Sequence, residues 1–486
     1  MKIMIAYPPI ESSKGIPLLS QNRQFQFFHN PTYIFPVVPA SAATLLKKNG
    51  YDVSWVDGIA ENMSSEKFYS VFKSENPDII AMETKTPVIK AQWGIVAKLK
   101  EINPRCKIVL MGDHVTALPK ESLENSKADF ILTGGDYDFA LLELIQSIEN
   151  KKKIPSGFWY RKGNKIVHGK PFQLNHNLDE LPFIDRELTK WWLYEKEYNM
   201  RGLPYMYTMS GRDCPWHRCK FCAWPVLFPK FRSRSPRNVL DEISMLIEKY
   251  NVKEIFDDAG TFPAMPTSKW LEEFCKGMIE RGINKKIDFS CNMRVDYLTE
   301  KNAEMMSKAG FRLLKIGLES GNQITLDRID KGIKVEQIKQ ACKNAKKFGL
   351  TIQLTMIVGY PWETKEDAMN TFNLAKDLMQ KGYADVLQST ILVPYPGTGL
   401  HNEALKNNWF KIDPKDYERY DMTMPILKTP MSEQEIMHIC NKIYQIFLTP
   451  SYIFQRIKNI KNTKDLIFTL RGVKAVFGHL LDFARK

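Results

Sequence analysis

Residues 211–225 read GRDCPWHRCKFCAWP and place Cys214, Cys219 and Cys222, three of the chain's eight cysteines, in one short loop. Arg212, His217, Arg218, Lys220, Phe221 and Trp224 surround them. Thiols this close in a reducing compartment point to a zinc site, an iron–sulfur cluster or a redox pair. Structural zinc normally takes four protein ligands in two close pairs, whereas Cys106, Cys275, Cys291, Cys342 and Cys440 each stand alone. His217 is the nearest candidate for a fourth ligand, but it sits inside the loop, where the chain would have to double back on itself. A four-iron cluster on three thiolates leaves one iron without a protein ligand. That iron can bind a small molecule as a Lewis acid and pass it an electron.

Such a loop needs elements to hold it. Residues 1–150 alternate short apolar strands (KIMIAYPP, YDVSWVDG, DIIAME, KIVLMGD, ADFILTGG) with helical segments (PASAATLLKKNG, WGIVAKLKEIN, FALLELIQSIENKKK). That rhythm predicts an α/β domain, a Rossmann-like, doubly wound parallel sheet. Its ligand is expected beyond the C-terminal strand ends, at Pro8, Asp57, Thr84, Gly112, His114, Thr116, Gly134 and Gly135. Residues 151–195 are polar and weakly periodic and read as a β-rich linker. Over residues 196–404 the alternation returns, with strands in YMYTMSG, EIFDDAG, DFSCNMR, RLLKIGLESG, TIQLTMIVGYP and DVLQSTILVPYP. Six units predict an open, partial (β/α)6 TIM-like barrel in place of a closed eightfold one. The cysteine loop follows the first of these strands, at the end where barrels place their chemistry. Residues 405–486 read as a helical C-terminal region.

A chain of 486 residues with 44% hydrophobic and 26% charged residues fits several folded domains. The opening MKIMIAYPPIE has neither the length nor the cleavage site of a secretory signal, and no stretch reaches a spanning helix, so a cytoplasmic protein is expected. A net charge of +14 suits anionic partners, yet lysine is spread along the whole chain and no aromatic-and-basic motif stands out. Nucleic acid is not an expected partner.

The three cysteines, Phe221 just before the last of them, and the strand-end motifs that follow over residues 200 to about 400 resemble the radical SAM enzymes. The resemblance implies a [4Fe-4S] cluster on Cys214, Cys219 and Cys222 whose open iron chelates S-adenosylmethionine, with one electron cleaving the sulfonium to a 5′-deoxyadenosyl radical. It also implies a flavodoxin- or ferredoxin-type electron donor. The family's usual intervals are three residues then two; here they are four and two, which lengthens the loop and keeps every ligand. By position, the resemblance carries S-adenosylmethionine contacts onto Phe221 in the cysteine loop, Asp257, Asp258 and Thr261 in FDDAGTFP, Asn292 and Arg294 in SCNMRVD, Glu319 in IGLESG, Gly359 and Glu363 in IVGYPWE, and Gln388 on the sixth strand. Read without the family, Asp257 and Asp258 are helix caps, Glu319 a buried ion-pair partner and Gly359 a turn residue.

The first domain resembles the cobalamin-binding domain of one large radical SAM class, through PDIIAMETKTP, VLMGDHVTALP and DFILTGGDYDFALLEL. The Asp-x-His-x-x-Gly motif that brings a histidine to cobalt elsewhere is absent, as it often is in that class. The domain is therefore read as binding cobalamin without a protein imidazole, or as keeping the fold after losing the cofactor. GGDYDFALLEL, FCAWP with FRSRSPRNVLDEI, the run FSCNMRVDYLTEKNAEMMSKAGFRLLKIGLESGNQ and PYPGTGLHNEALKNNWF are similar to the hopanoid-biosynthesis radical SAM proteins that form a cyclitol head group. That likeness implies methyl transfer or rearrangement at an unactivated carbon of a small-molecule or lipid head-group substrate. The basic segment from Ile453 to Lys486 either lies on the inner face of a membrane, presenting the active site to a lipid, or packs on the barrel.

Overall fold

The chain is described here from a computed structural model covering residues 1–19, 25–28, 31–195, 200–458, 460, 463 and 465–472. Apolar runs become strands where both faces find cover: Ile79–Thr84 is buried at all six positions, the pattern of a strand inside a parallel sheet flanked by helices. The first sheet has seven strands. From one edge they run Asp52–Asp57, Lys2–Tyr7, Ile79–Thr84, Lys107–Gly112 and Phe130–Leu132, all parallel. Phe158–Lys162 and Lys165–His168 then add an antiparallel hairpin. The order second, first, third, fourth, fifth is the flavodoxin-like winding, whose ligand crevice opens at the C-terminal ends of the first and third strands. Within residues 151–195 the expected β-structure is this hairpin, which joins the first sheet through the pairing of Phe130 with Tyr160.

Helices Val37–Lys48, Ile89–Ile102 and Tyr137–Glu149 lie where the periodicity predicts them. A further helix, Ser65–Glu75, escaped sequence reading because it buries only Phe68 and Phe72. Its start is set by the Ser64 side chain, which accepts from Lys67 N at 3.2 Å.

The second sheet has six parallel strands paired in chain order, Tyr205–Thr208, Glu254–Asp257, Asp288–Met293, Phe311–Glu319, Thr351–Val358 and Val386–Ile391. Helices connect them, among them Pro236–Tyr250, Trp270–Glu280, Val335–Lys347 and Lys365–Gln380. This is the partial barrel expected from six units. The described end of the chain, helix Pro450–Lys458 and residues 465–472, caps the base of the barrel. Tyr452 Oη donates to Asp385 O at 2.9 Å, and Arg201 bridges Asp465 (2.9 Å) and Asp288 (2.8 Å) at the N-terminal strand ends. Of the two alternatives for this segment, its described part packs on the barrel, at the strand ends opposite the mouth. Residues 473–486 of that segment lie outside the described residues.

The domains are joined by a buried ion cluster. Arg212 Nη1 donates to Asp136 Oδ1 at 2.6 Å and to Asp138 Oδ1 at 3.0 Å, its Nη2 reaches Asp138 Oδ2, and Arg232 Nη2 donates to Asp136 Oδ1 at 2.7 Å. Asp136 and Asp138 are wholly buried. Burial opposes the Arg212 charge, but the two carboxylates more than offset it and raise its pKa. Arg212→Met leaves both carboxylates buried without this cation and is expected to cost about 3–5 kcal/mol. Asp241→Asn, which breaks the half-exposed bridge to Arg281 (2.7 Å), is expected to cost about 1 kcal/mol or less. Urea denaturation followed by tryptophan fluorescence separates the two.

Candidate active site

The cysteine loop leaves the first barrel strand with left-handed backbone at Asp213 (φ 72°) and His217 (φ 56°). Cys214, Cys219 and Cys222 are half-buried and none forms a disulfide. His217 Nδ1 pairs with the Asp213 carboxylate within the loop. Among the described residues no three His, Cys, Asp or Glu side chains are placed to hold a single ion.

The lengthened first interval has a defined path because its side chains are anchored to the turn after the fourth barrel strand. Trp216 Nε1 donates to Asp330 O at 2.6 Å, Arg218 Nε to Asp330 Oδ2 at 3.1 Å, and Lys220 N to Ile329 O at 3.0 Å. From the other side Leu400 N donates to Lys220 O at 2.8 Å. Gly332 (φ 67°) lies so close beneath the Trp216 indole that a Cβ there would overlap the ring. Arg294 completes the cradle: its guanidinium lies 4.8 Å from the Trp216 ring centroid, and its Nη2 donates to Lys331 O at 3.0 Å.

Glu319 ends the fourth barrel strand in the left-handed region (φ 59°), at a register shift against the fifth strand. A non-glycine residue held there stores about 1–3 kcal/mol of strain. Its carboxylate accepts from Lys331 Nζ at 2.7 Å. Both heads occupy the space a side chain at Gly317 would fill, since a Cβ there would come within 2.7 Å of Lys331 Nζ. Lys331 Nζ also stands 6.0 Å from the Phe221 ring centroid. Burial pulls the Lys331 pKa down, but the charges of Glu319 and Cys219 more than offset it. Burial pushes the Cys219 thiol up to about 11, with Lys331 and Arg294 pulling the other way. A thiolate here therefore depends on these cations or on a bound metal.

The structure thus gathers Cys214, Cys219, Cys222, Phe221, Arg294 and Glu319, and adds Lys331 and Tyr360, whose Oη is buried without a hydrogen-bond partner. Other expected contacts also make bonds within the protein through some of their polar groups. Asp257 accepts from Ser210 N (2.7 Å), Ser210 Oγ (3.0 Å) and Ala259 N (3.1 Å), holding the turn into the cysteine loop. Glu363 accepts from Gly359 N at 2.7 Å and closes the turn after the fifth strand. Thr261 Oγ1 donates to Gly260 O (2.9 Å) and Asn292 Nδ2 to Ala259 O (3.0 Å). Gln388 accepts from Gln353 Nε2 at 3.5 Å, and Asp258 is half-buried, its N donating to Thr208 O at 2.9 Å. Lys331 carries no signal beyond being a lysine in a short DKG turn, and its neighbours are remote in sequence.

At the C-terminal edge of the first sheet the expected residues also turn inward. Asp57 accepts from Tyr194 Oη at 2.6 Å and from Ala60 N at 2.9 Å, and burial pushes it up to about 6. Thr84 Oγ1 donates to Met111 O (2.8 Å), and Thr116 Oγ1 donates to Gly112 O (2.6 Å) while accepting from Gly134 N (3.1 Å). Gly135 N donates to Leu227 O of the barrel domain at 2.8 Å. Pro8 is buried after the first strand. His114 is fully buried and edge-on to Tyr417 at 4.7 Å, and burial pushes its pKa down to about 4. These residues shape the edge. The groups left to meet a ligand there are His114 Nε2, buried without a partner, and several that sequence reading did not single out. Lys85 Nζ pairs with Asp113 Oδ2 at 3.1 Å, Tyr7 Oη donates to Glu83, and Glu83 Oε1 and Tyr137 Oη are buried without partners. An unsatisfied buried polar group costs about 1–3 kcal/mol, which a polar ligand at this edge would recover.

Gly332→Ala is expected to displace Trp216 and the loop, costing about 1–3 kcal/mol and lowering the iron retained per chain after reconstitution. Gly94→Ala, with nothing within 4 Å, serves as the control that leaves iron unchanged. A second expectation concerns pH. Burial raises Asp257, Glu83 and Glu363 to about 7 from the ordinary 3.8 and 4.5, so over that window the folded chain keeps protons the unfolded chain releases. Stability from these groups is present below the ordinary values and is lost as pH rises through 7. Asp257→Asn, neutral throughout, is expected to flatten that loss in denaturation midpoints measured across the window.

Two family models match the chain in order, the B12 binding domain over residues 33–142 and the Radical SAM superfamily over residues 209–375. An uncharacterised methyltransferase of Pyrococcus horikoshii is 28% identical over 486 residues, 98% of this chain and 99% of its own. The anaerobic magnesium-protoporphyrin IX monomethyl ester cyclase of Cereibacter sphaeroides is 27% identical over 394 residues, 79% of this chain and 62% of its own. Among solved structures, the radical S-adenosylmethionine methyltransferase TsrM of Kitasatospora setae, with cobalamin and a [4Fe-4S] cluster bound, superposes with a TM-score of 0.68 at 14% identity, covering 93% of this chain and 89% of that one. With both halves matched in this order, and with the cysteine cradle clamped to the strand ends of the first domain, the chain is a radical SAM protein whose core follows a B12-binding domain.

Proposed function

We propose that the protein is a cobalamin-dependent radical SAM methyltransferase acting on an unactivated carbon. The observation that carries this reading is the arrangement at the barrel mouth. Three half-buried thiols stand beside the buried cations Lys331 and Arg294, and Arg212, two residues before the first thiol, is locked into the acidic loop of the first domain. The donor set fits: three thiols and neighbouring positive charge suit an iron–sulfur cluster, and the unpartnered Glu83 and Tyr137 atoms suit a large polar ligand along the strand ends. When bound, the cluster supplies reductive cleavage of S-adenosylmethionine, and cobalamin supplies a transferable methyl group.

The residues of the chain position and shield. Cys214, Cys219 and Cys222 hold the cluster, while Lys331 and Arg294 balance the thiolates. Glu319, fixed by Lys331, and the half-buried Asp258 and Asn292 face the nucleoside or amino-acid part of S-adenosylmethionine. Buried Tyr360 and half-buried Phe221 help exclude water from the mouth. The same reading includes a flavodoxin- or ferredoxin-type electron donor, a small-molecule or lipid head-group substrate, and a cytoplasmic site in peripheral contact with the inner face of the membrane. The cyclase likeness supports a second reading, in which hydrogen abstraction is followed by ring formation or rearrangement without methyl transfer.

Anaerobic reconstitution is expected to load about four iron and four sulfide per chain and to yield 5′-deoxyadenosine from S-adenosylmethionine under a low-potential reductant. Replacing Cys214, Cys219 and Cys222 together by Ala is expected to abolish both. Methyl-labelled S-adenosylmethionine then separates the readings: label appearing on cobalamin and on a metabolite supports methyl transfer, and deoxyadenosine without label transfer supports the second.

A further inference from the structure

Three carboxylates stand at the C-terminal edge of the first sheet, where the crevice of this winding opens. Asp57 ends strand Asp52–Asp57, Glu83 is the last residue but one of Ile79–Thr84, and Asp113 follows Lys107–Gly112. They are 6, 0 and 7% exposed. Among the described residues the cation paired with them is Lys85, itself buried, whose Nζ lies 3.1 Å from Asp113 Oδ2. Arg212 and Arg232 are bound to Asp136 and Asp138. His114, with its pKa pushed down to about 4 by burial, adds no charge at neutral pH. Asp57 is engaged, accepting from Tyr194 Oη, Ile59 N and Ala60 N. Glu83 is only half engaged: Tyr7 Oη donates to Oε2, and Oε1 is buried without a partner. Tyr137, the first residue of helix Tyr137–Glu149, is fully buried and its Oη also has no partner. Burial, then the charges of Glu83 and Asp113, raise the Tyr137 pKa, so these side chains share one cluster. An unused acceptor and an unused donor thus lie in a place of surplus negative charge. Both conditions are unfavourable in a buried site, and a ligand bringing N–H donors and positive charge relieves both.

We propose that Glu83 and Tyr137 recognise the corrin by its rim. The Glu83 carboxylate accepts from the N–H groups of a primary carboxamide, and the Tyr137 hydroxyl donates to a carboxamide oxygen. This selectivity rests on the cobalamin reading above and says what in the chain enforces it. Charge decides the ligand class. A phosphate, a common guest of doubly wound crevices, would be set against the carboxylates here. A cobalt corrin is cationic at its centre and carries carboxamides at its rim, each with a donor and an acceptor. A corrin whose rim groups are carboxylates is refused at the same place, because like charge meets Glu83 and no donor is offered. Glu83 and Tyr137 therefore determine which corrin is loaded, before any radical step.

The test is equilibrium dialysis of the full-length, corrin-free protein against cobinamide and against cobyrinic acid. Both lack the nucleotide tail, and they differ in carrying amides or carboxylates at the rim. The assay is run at about pH 8.5, where Glu83, pushed up to about 7 by burial, is ionised. Cobinamide is expected to bind at least about tenfold more tightly than cobyrinic acid. In Glu83→Gln, Tyr7 can still donate to the amide oxygen, and the free position becomes a donor. That variant is expected to narrow the ratio about tenfold by taking cobyrinic acid better, whereas a site merely loosened would lose both ligands together. Tyr137→Phe takes no hydrogen bond from the chain. The unfolding midpoint of the corrin-free protein is therefore expected to stay level or rise, while cobinamide affinity falls about fivefold. Circular dichroism checks the fold of both variants. The proposal is overturned if the parent binds both corrins alike, if Glu83→Gln leaves the ratio unchanged, or if Tyr137→Phe binds cobinamide as the parent does. A parent that binds neither corrin, nor cobalamin itself, overturns the cobalamin reading as well; cobalamin bound without a rim preference overturns this proposal alone.

Discussion

Two buried carboxylates in one domain and one arginine in the other set the geometry of the whole molecule. Asp136 and Asp138 cannot be left in a dry interface without cations, and Arg212 reaches both only when the strand-end loop of the first domain sits on the root of the cysteine loop. Arg212 is also paired, residue for residue, with Arg232 in a two-stranded ribbon. Arg232 returns to Asp136, so ribbon, loop and domain interface share one charge balance. The ligand-bearing edges of both sheets are thereby brought to a common junction.

Within that junction the cysteine loop is shaped more by its anchors than by its own conformational preferences. Trp216, Arg218 and Lys220 are all bound to residues 329–330, and Arg294 lies across Trp216 while holding the next carbonyl. The additional residue in the first cysteine interval becomes part of this lattice of contacts. Glu319 pays for its left-handed backbone through the buried bond to Lys331, and the pair brings one compensated charge to the side of Cys219. Removing either partner would leave the other buried and charged, which is the costlier state.

The molecule is polarised along the barrel axis. Cofactor-binding edges and buried ions occupy the C-terminal strand ends, while the N-terminal ends carry Arg201, Asp288, Glu254 and Arg312 in a network closed by the last helices. Polar side chains of those helices are drawn inward by this network, and that is why their apolar residues are displaced to the surface.

Sequence alone determined the strands, most of the helices, the partial barrel and the position of the three thiols, because each rests on local periodicity or on spacing within a few residues. It also pointed to Arg294 and Glu319 at strand ends. It did not show that the Asp257 and Glu363 carboxylates accept from the backbone of their own turns; family position says where a side chain starts, and only the packed backbone says which donors reach it first. Lys331, the unpartnered Glu83 and Tyr137 oxygens, and the partnership of Arg212 with residues 74 and 76 positions away belonged to the tertiary structure. Contacts between remote segments leave no periodic trace, and the cost of burying an unpaired charge becomes a constraint only once the fold has excluded water.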